Sequence, residues 1–312
     1  MTAFAFVFPG QGSQAVGMLN AWEGHVAVRD TLAEASDALG EDIARLIAEG
    51  PKESLDLTTN TQPVMLTAGI ACWRAWQAET GLSPVALAGH SLGEYSALVA
   101  AGALTLKDAL PLVRFRAQAM QDAVPVGTGG MAAILGMDAE GVKAGCAEAA
   151  AACGEAVEAV NFNDPKQTVI AGTKAAVEKA CEVLKAAGAK RALPLPVSAP
   201  FHSSLMKPAA ERLKEKLAAT AFASPLIPVI NNIDVAVAAD AAAIRDALYR
   251  QAFGPVRWVE TIAALKARGV THVIECGPGK VLAGMVKRID AELVTGCVLD
   301  PASLSEIKAL LA

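Results

Sequence analysis

Pro84-Val85-Ala86-Leu87-Ala88-Gly89-His90-Ser91-Leu92-Gly93-Glu94-Tyr95-Ser96-Ala97-Leu98-Val99 is the stretch that decides the fold. Its first five residues form a short, continuous apolar run, the pattern of a strand buried on both faces. Its last six read as the start of a helix. Between them, Gly89-His90-Ser91-Leu92-Gly93 fits Gly-x-Ser-x-Gly. Strand, glycine-flanked serine and helix in that order describe a nucleophile elbow, a sharp turn that presents a serine hydroxyl at the top of a sheet. A helix starting near Leu92 adds backbone N–H groups and a positive dipole end where an oxyanion would form. The same residues also fit an ordinary strand-to-helix turn with Ser91 as the helix cap.

Working outward, Phe4-Ala5-Phe6-Val7-Phe8, bounded by Pro9-Gly10, reads as a second buried strand. Helical patterns follow over residues 28–48, 63–79 and 105–123. Strands alternating with helices predict a parallel sheet covered on both faces. After the glycine-rich hinge Val126-Gly127-Thr128-Gly129-Gly130 the pattern changes. A strand at 131–135 and a helix at 138–152 precede strands at 157–162 and 167–171, which the turn Asn163-Asp164-Pro165 joins. A helix at 173–187 and an extended stretch at 189–197 follow. The order β-α-β-β-α-β is that of a ferredoxin-like unit. Beyond it the α/β alternation resumes, with strands at 229–233 and 271–275 and helices at 240–251, 258–268 and 280–289. The expected architecture is α/β: a hydrolase-like parallel-sheet large domain, residues 1–126 and 198–312, with an inserted ferredoxin-like small domain, residues 127–197.

The composition is that of a chain with a substantial core, 53% hydrophobic and 19% charged. A balance of 27 basic against 32 acidic side chains argues against a dedicated nucleic-acid binder. No run approaches the ~20 apolar residues of a membrane span. The opening residues lead straight into a strand, without the pattern of a signal peptide. Six scattered cysteines, with no Cys-x-x-Cys pair, read as reduced thiols of a cytoplasmic protein. No metal site is expected, since the four histidines show no ligand spacing.

A serine nucleophile needs a base. His90 adjoins Ser91 on a tight turn, where a neighbour points elsewhere. His25 has no partner motif, and His272 falls in a strand as a packed residue. His202, in Pro200-Phe201-His202-Ser203, lies where the chain re-enters the large domain, at an interdomain cleft where sites are commonly found. Arg114-Phe115-Arg116 falls within an apolar-leaning helix and is compatible with snorkelling arginines or with a buried cation. Gly10-Gln11-Gly12-Ser13-Gln14-Ala15 imitates a dinucleotide fingerprint. That fingerprint requires a second strand ending in an acidic residue ~20 positions on, and here the following segment is helical in pattern. A turn on the sheet's C-terminal edge that presents Gln11 fits a site wall better. Asn161, on a small-domain strand facing the cleft, is a further pocket candidate.

Five motifs in order then carry a resemblance over essentially the whole chain: Phe8-Pro9-Gly10-Gln11-Gly12-Ser13-Gln14, the elbow through Leu98, Arg116 with Met120-Gln121, Pro200-Phe201-His202-Ser203, and Gly277-Pro278-Gly279-Lys280. The chain resembles the malonyl-CoA:acyl carrier protein transacylase family of fatty-acid synthesis and is similar to the acyltransferase domains of polyketide synthases. The resemblance implies Ser91 as nucleophile and His202 as base. It implies the backbone N–H groups of Gln11 and Leu92 as oxyanion hole and Arg116 as clamp for the malonyl carboxylate. Gln251 matches the position whose backbone carbonyl orients the histidine. Phe201, His90 and Met120 fall in the acyl pocket, with Phe201 favouring malonyl over methylmalonyl. The implied reaction moves a malonyl group from malonyl-CoA to the phosphopantetheine thiol of an acyl carrier protein, through a malonyl-serine ester and with no bound cofactor. A free-standing chain favours fatty-acid over polyketide synthesis. An acidic carrier protein calls for a basic surface, for which Lys190, Arg191, Lys280, Lys287 and Arg288 are candidates. Competing readings are a serine hydrolase or thioesterase, with Glu158 or Asp164 as possible triad acid, a non-catalytic docking subunit, and a dinucleotide-dependent oxidoreductase.

Overall fold

A computed structural model describes residues 2–125, 127–197 and 199–312. Val126 and Ser198, at which the expected domain division falls, lie outside the described residues. Among these the strands are β1 (Phe4–Phe8), β2 (Ala86–Gly89), β3 (Gly129–Leu135), β4 (Val157–Asp164), β5 (Gln167–Thr173), β6 (Arg191–Pro194), β7 (Val229–Ile230), β8 (His272–Cys276) and β9 (Val294–Val298). They form two sheets. The larger has the order β7-β2-β1-β8-β9 and is parallel throughout; the smaller has the order β4-β5-β3-β6 and is antiparallel.

The apolar run of β1 occupies the centre of the large sheet, which explains why it does not alternate with polar residues. Its side chains still alternate between faces. Phe4, Phe6 and Phe8 enter one core beneath the helix Thr58–Thr80, while Ala5 and Val7 join Ala86, Ala88 and Trp258 in the other. The Phe6 ring stands edge-on to Trp76 at 5.2 Å and to Trp73 at 5.8 Å. Replacing such a ring by alanine costs roughly 3–5 kcal/mol.

The small sheet carries the helices Ala139–Cys153 and Lys174–Ala186 in the chain order β-α-β-β-α-β, over its own core of Ala132, Ile134, Val142, Ile170 and Leu184. Its β4 edge is anchored to the large domain. The Val256 N–H donates to the Val160 carbonyl at 2.8 Å, and the Phe162 N–H donates to the Val256 carbonyl at 3.0 Å. Arg288 pairs with the buried Asp164 at 2.7 Å across the same junction. A cleft between two sheets is thereby fixed in place.

Several elements differ from the sequence reading. The segment 28–48 is two helices, Val26–Leu39 and Ile43–Glu49, because Gly40 ends the first in the left-handed region and Asp42 caps the second by accepting from the Arg45 N–H. Asn163 and Asp164 belong to β4 rather than to a turn. Strand 229–233 stops at Ile230, since the Asn231 and Asn232 N–H groups turn to Ala236 and Glu94 instead of the ladder. The helices Lys207–Ala219 and Pro301–Leu311 and the edge strand β9 were not anticipated. No helix among the described residues is long and apolar enough to cross a membrane.

Candidate active site

Ser91 sits between β2 and the helix Gly93–Ala100 with φ of 53°, the left-handed region that ordinary side chains avoid. Such strain persists only when the surroundings enforce it. A Cβ on Gly89 would lie 1.9 Å from the Gly93 backbone, and one on Gly93 would lie 2.0 Å from the Phe8 carbonyl oxygen. A Cβ on Gly10 would lie 2.6 Å from the His90 carbonyl oxygen. These glycines let the elbow close against β1 and bring the Gly10-Gln11 turn beside Leu92. Asn232 locks the turn from the other side: its Oδ1 accepts from the Ser91 N–H at 2.8 Å, and its Nδ2 donates to the Gly89 carbonyl at 2.7 Å.

The structure brings the Ser91 Oγ within 2.6 Å of the His202 Nε2. His202 is also in the left-handed region, at φ 64°. Its Nδ1 faces two backbone carbonyls, Gln251 at 2.9 Å and Gly254 at 3.2 Å, so the proton resides on Nδ1 and Nε2 is free to accept one. Burial, and secondarily the charge of Arg116, pull this imidazole down to about 3. It is therefore neutral, and a base, throughout the physiological range. Neither acid considered from sequence reaches it: Glu158 hydrogen-bonds Ser204, and Asp164 is committed to Arg288.

The two arginines of Arg114-Phe115-Arg116 separate cleanly. Arg114 pairs with Glu41 at the surface, whereas Arg116 is 2% exposed. Arg116 Nη1 donates to Gln62 Oε1 at 2.8 Å. Its Nη2 is 3.2 Å from Gln251 Oε1 and 3.3 Å from Ser91 Oγ. Its Nε is buried without an acceptor among the described residues. A planar cation whose hydrogen-bond partners are neutral is suited to a carboxylate.

These groups line one cavity of about 120 Å³, together with Gln11, His90, Leu92, Met120, Asn161 and Phe201. Every pocket residue expected from sequence is thus gathered there, with Gln251 directly behind Arg116. His90 points away from the serine, as its position on the turn suggests: its Nε2 meets Asn163 Oδ1 at 2.8 Å and its ring stands against Trp258. The Asn161 Oδ1 is buried without a hydrogen-bond partner among the described residues. His25 lies near Glu79 and His272 beside Thr271, both away from the cavity. The five basic candidates are exposed on two elements, Lys190 and Arg191 at the start of β6, and Lys280, Lys287 and Arg288 at and along the helix Val281–Ile289. Arg288 is already engaged by Asp164.

Four site residues escaped the sequence reading: Gln62, Glu94, Asn163 and Asn232. Asn232 had a usable signal, an Asn-Asn pair directly after a strand, at the carboxyl edge of a parallel sheet where α/β proteins place their sites. Glu94, a carboxyl in the first turn after the elbow, is 2% exposed, and burial pushes it up to about 7 against the pull of the Asn232 and Gln251 donors and Arg116.

A strained serine on a strand-to-helix elbow, a carbonyl-oriented histidine and a buried guanidinium over the same hydroxyl are the parts of a serine acyl-transfer site on an α/β scaffold. The chain belongs to the acyl transferase domain family, whose model matches residues 5–296. It is 54% identical over 306 residues to the malonyl CoA-acyl carrier protein transacylase of Salmonella typhimurium, covering 98% of each chain. The crystal structure of an acyl-carrier-protein S-malonyltransferase from Burkholderia pseudomallei superposes with a TM-score of 0.97 at 68% identity, covering 99% of this chain and 100% of that one. A malonyl-transacylase in complex with its type II polyketide acyl-carrier protein superposes with a TM-score of 0.97 at 50% identity, again covering 99% and 100%.

Proposed function

We propose that this protein transfers the malonyl group of malonyl-CoA to the phosphopantetheine thiol of an acyl carrier protein in fatty-acid synthesis. The observation that carries this reading is the meeting of His202 Nε2 and Arg116 Nη2 on the Ser91 Oγ, at 2.6 and 3.3 Å. Ser91 Oγ attacks the thioester carbonyl as His202 Nε2 takes its proton. The N–H groups of Gln11 and Leu92 hold the tetrahedral oxyanion, each such donor contributing about 3 kcal/mol to barrier lowering. The C–S bond breaks, and CoA leaves as its thiol with the proton from His202. In the second half, His202 accepts the pantetheine thiol proton, the thiolate attacks the malonyl-serine ester, and Ser91 recovers its proton as the C–O bond breaks. Two half-reactions through one covalent intermediate give ping-pong kinetics. Arg116 selects acyl groups that end in a carboxylate.

No bound cofactor is needed for this chemistry. The small domain, taken as residues 127–197, supplies Asn161 and one wall of the cleft; in support, all four strands of its sheet lie between Gly129 and Pro194. We assign the protein to the cytoplasm. The carrier protein docks over Lys190, Arg191, Lys280 and Lys287; Arg288 has an additional, structural part through Asp164. Charge reversal at the four lysine and arginine positions should raise the KM for carrier protein at low salt without changing that for malonyl-CoA.

The deciding experiment is intact mass after mixing with malonyl-CoA. A malonyl adduct on the wild type that is absent in Ser91→Ala, and is discharged by carrier protein, supports transfer. Release of free malonate at the same rate with or without carrier protein would make the protein a hydrolase.

A further inference from the structure

Gln251 has a polarity problem that Glu94 solves. The side chain of Gln251 is fully buried behind Arg116. An arginine has donors only, so the Gln251 amide must turn its oxygen towards it; Oε1 indeed receives Arg116 Nη2 at 3.2 Å. The amide nitrogen then faces the opposite way and requires an acceptor. It meets Glu94 Oε2 at 3.0 Å and the Ser91 carbonyl at 3.0 Å. The same Glu94 oxygen accepts from the Asn232 N–H at 2.8 Å, and Asn232 is the residue whose Oδ1 holds the Ser91 N–H. Glu94 Oε2 takes two donors, the Asn232 N–H and the Gln251 amide nitrogen, and so holds the Gln251 amide in one orientation. With the oxygen held towards Arg116, the guanidinium is drawn onto Gln251 and Gln62, and its Nη2 stays beside the Ser91 Oγ.

We propose that Glu94 is a positioning residue for the acyl carboxylate: through the Gln251 amide it fixes the orientation in which Arg116 receives the substrate. The role rests on the reading of Arg116 as a carboxylate clamp. Glu94 touches neither substrate nor reacting atoms; it acts through Gln251.

A glutamine at position 94 preserves size but can turn its own amide nitrogen towards that of Gln251, which loosens the hold on the Gln251 amide. The test compares E94Q, Q251A and E94Q/Q251A, using malonyl-CoA and acetyl-CoA as acyl donors. Expected for E94Q is a rise of about 10-fold in KM for malonyl-CoA, with kcat for malonyl transfer and the acetyl reaction each changed less than about threefold. Expected for the double variant is no further loss beyond Q251A, because residues that act through one another are not additive. Equal losses with both acyl donors, or additive losses in the double variant, would reduce Glu94 to a support of the elbow and overturn the proposal. If E94Q does not accumulate folded, E94D, which withdraws the carboxylate from Gln251, takes its place with the same expected selectivity for malonyl. Malonylation of wild-type Ser91 is followed by mass in parallel: its absence fails the reading of the site, while a normal wild-type adduct with an unaltered E94Q fails only the role of Glu94.

Discussion

Arg116 and Ser91 share a hydrogen bond of 3.3 Å between Nη2 and Oγ, although Arg116 issues from the middle of a helix and Ser91 from the elbow of a different element. The contact places a full positive charge beside the hydroxyl that is to be acylated. Among the described residues, glutamine side chains and the Tyr95 ring, rather than a carboxylate in direct contact, surround the guanidinium. Burying a guanidinium with no carboxylate in direct contact costs several kcal/mol, which the Glu94 carboxyl behind Gln251 offsets in part. An arriving acyl carboxylate offsets that cost, so affinity for the acyl group and instability of the empty protein share one origin.

Replacing Arg116 by methionine should therefore separate the two. Transfer from malonyl-CoA should fall by at least about 100-fold in kcat/KM, the loss of a bidentate charged contact in a dry site. Thermal stability should hold or rise, since the desolvated cation is gone. Arg116→Lys should resemble the methionine variant in activity, because an ammonium cannot form the two parallel bonds. A methionine variant that melts well below the wild type, measured by calorimetry, would contradict the idea that the empty site is strained by its charge.

His202 supplies a pH prediction. Burial, then the nearby Arg116 charge, lower its pKa from 6.5 to about 3, against the raising effect of the Gln251 and Gly254 carbonyls. Between these values the unfolded chain binds a proton that the folded one refuses, so this residue makes stability fall as pH drops from 6.5 towards 3. In the free protein, imidazole resonances of His202 should stay in the neutral form from pH 8 down to 5. Once a malonyl carboxylate neutralises Arg116, the charge effect weakens and the pKa rises. The acid limb of kcat, which reports the acyl-bound state, should accordingly lie at higher pH than that of kcat/KM. A free-enzyme His202 that titrates near 6.5 would refute the assignment.

What was legible in the sequence was what the chain encodes locally. β1 and β2 announce themselves as apolar runs because a central parallel strand has no solvent face. The elbow is readable because its steric demand falls on Gly89 and Gly93, two residues either side of Ser91. Arg116 could not be told from Arg114 by pattern: both lie on one helix, and only packing against Gln62 and Tyr95 buries one of them. Asn232 and Glu94 were missed for the same reason. Their importance is a contact spanning 138 positions, between the Asn232 N–H and the Glu94 carboxylate, and no local spacing encodes it. The family resemblance reached Gln251 where bare residue chemistry did not, because the group that faces His202 is a backbone carbonyl, which every residue possesses.

Phe201 tests the size of the acyl pocket. It is 9% exposed and walls the cavity of about 120 Å³ immediately before His202. A branched acyl group needs room there for one more methyl, and one methyl discriminates by ~1–3 kcal/mol. Phe201→Ser should raise the ratio of methylmalonyl to malonyl kcat/KM about 10-fold in a competition assay read by the mass of the acyl carrier product. No change in that ratio would assign the selectivity to another wall of the cavity, which Met120 and Leu195 also line.

The strain at Ser91 can be measured apart from its chemistry. Alanine and glycine both remove the hydroxyl, and with it the bonds to His202 and Arg116, so comparing the two cancels those losses. What remains is the backbone. At φ 53° an alanine Cβ crowds the following carbonyl, which costs about 1–2 kcal/mol, while glycine does not incur that cost. Against this, glycine gives up more chain entropy on folding, by roughly 0.5–1 kcal/mol. Ser91→Gly should therefore be more stable than Ser91→Ala by on the order of 1 kcal/mol, the difference of these two effects. Equilibrium denaturation of both inactive variants measures it directly. If Ser91→Ala proves the more stable of the pair, the elbow is relaxed in solution, and the left-handed serine is not a conformation the glycines and Asn232 must enforce.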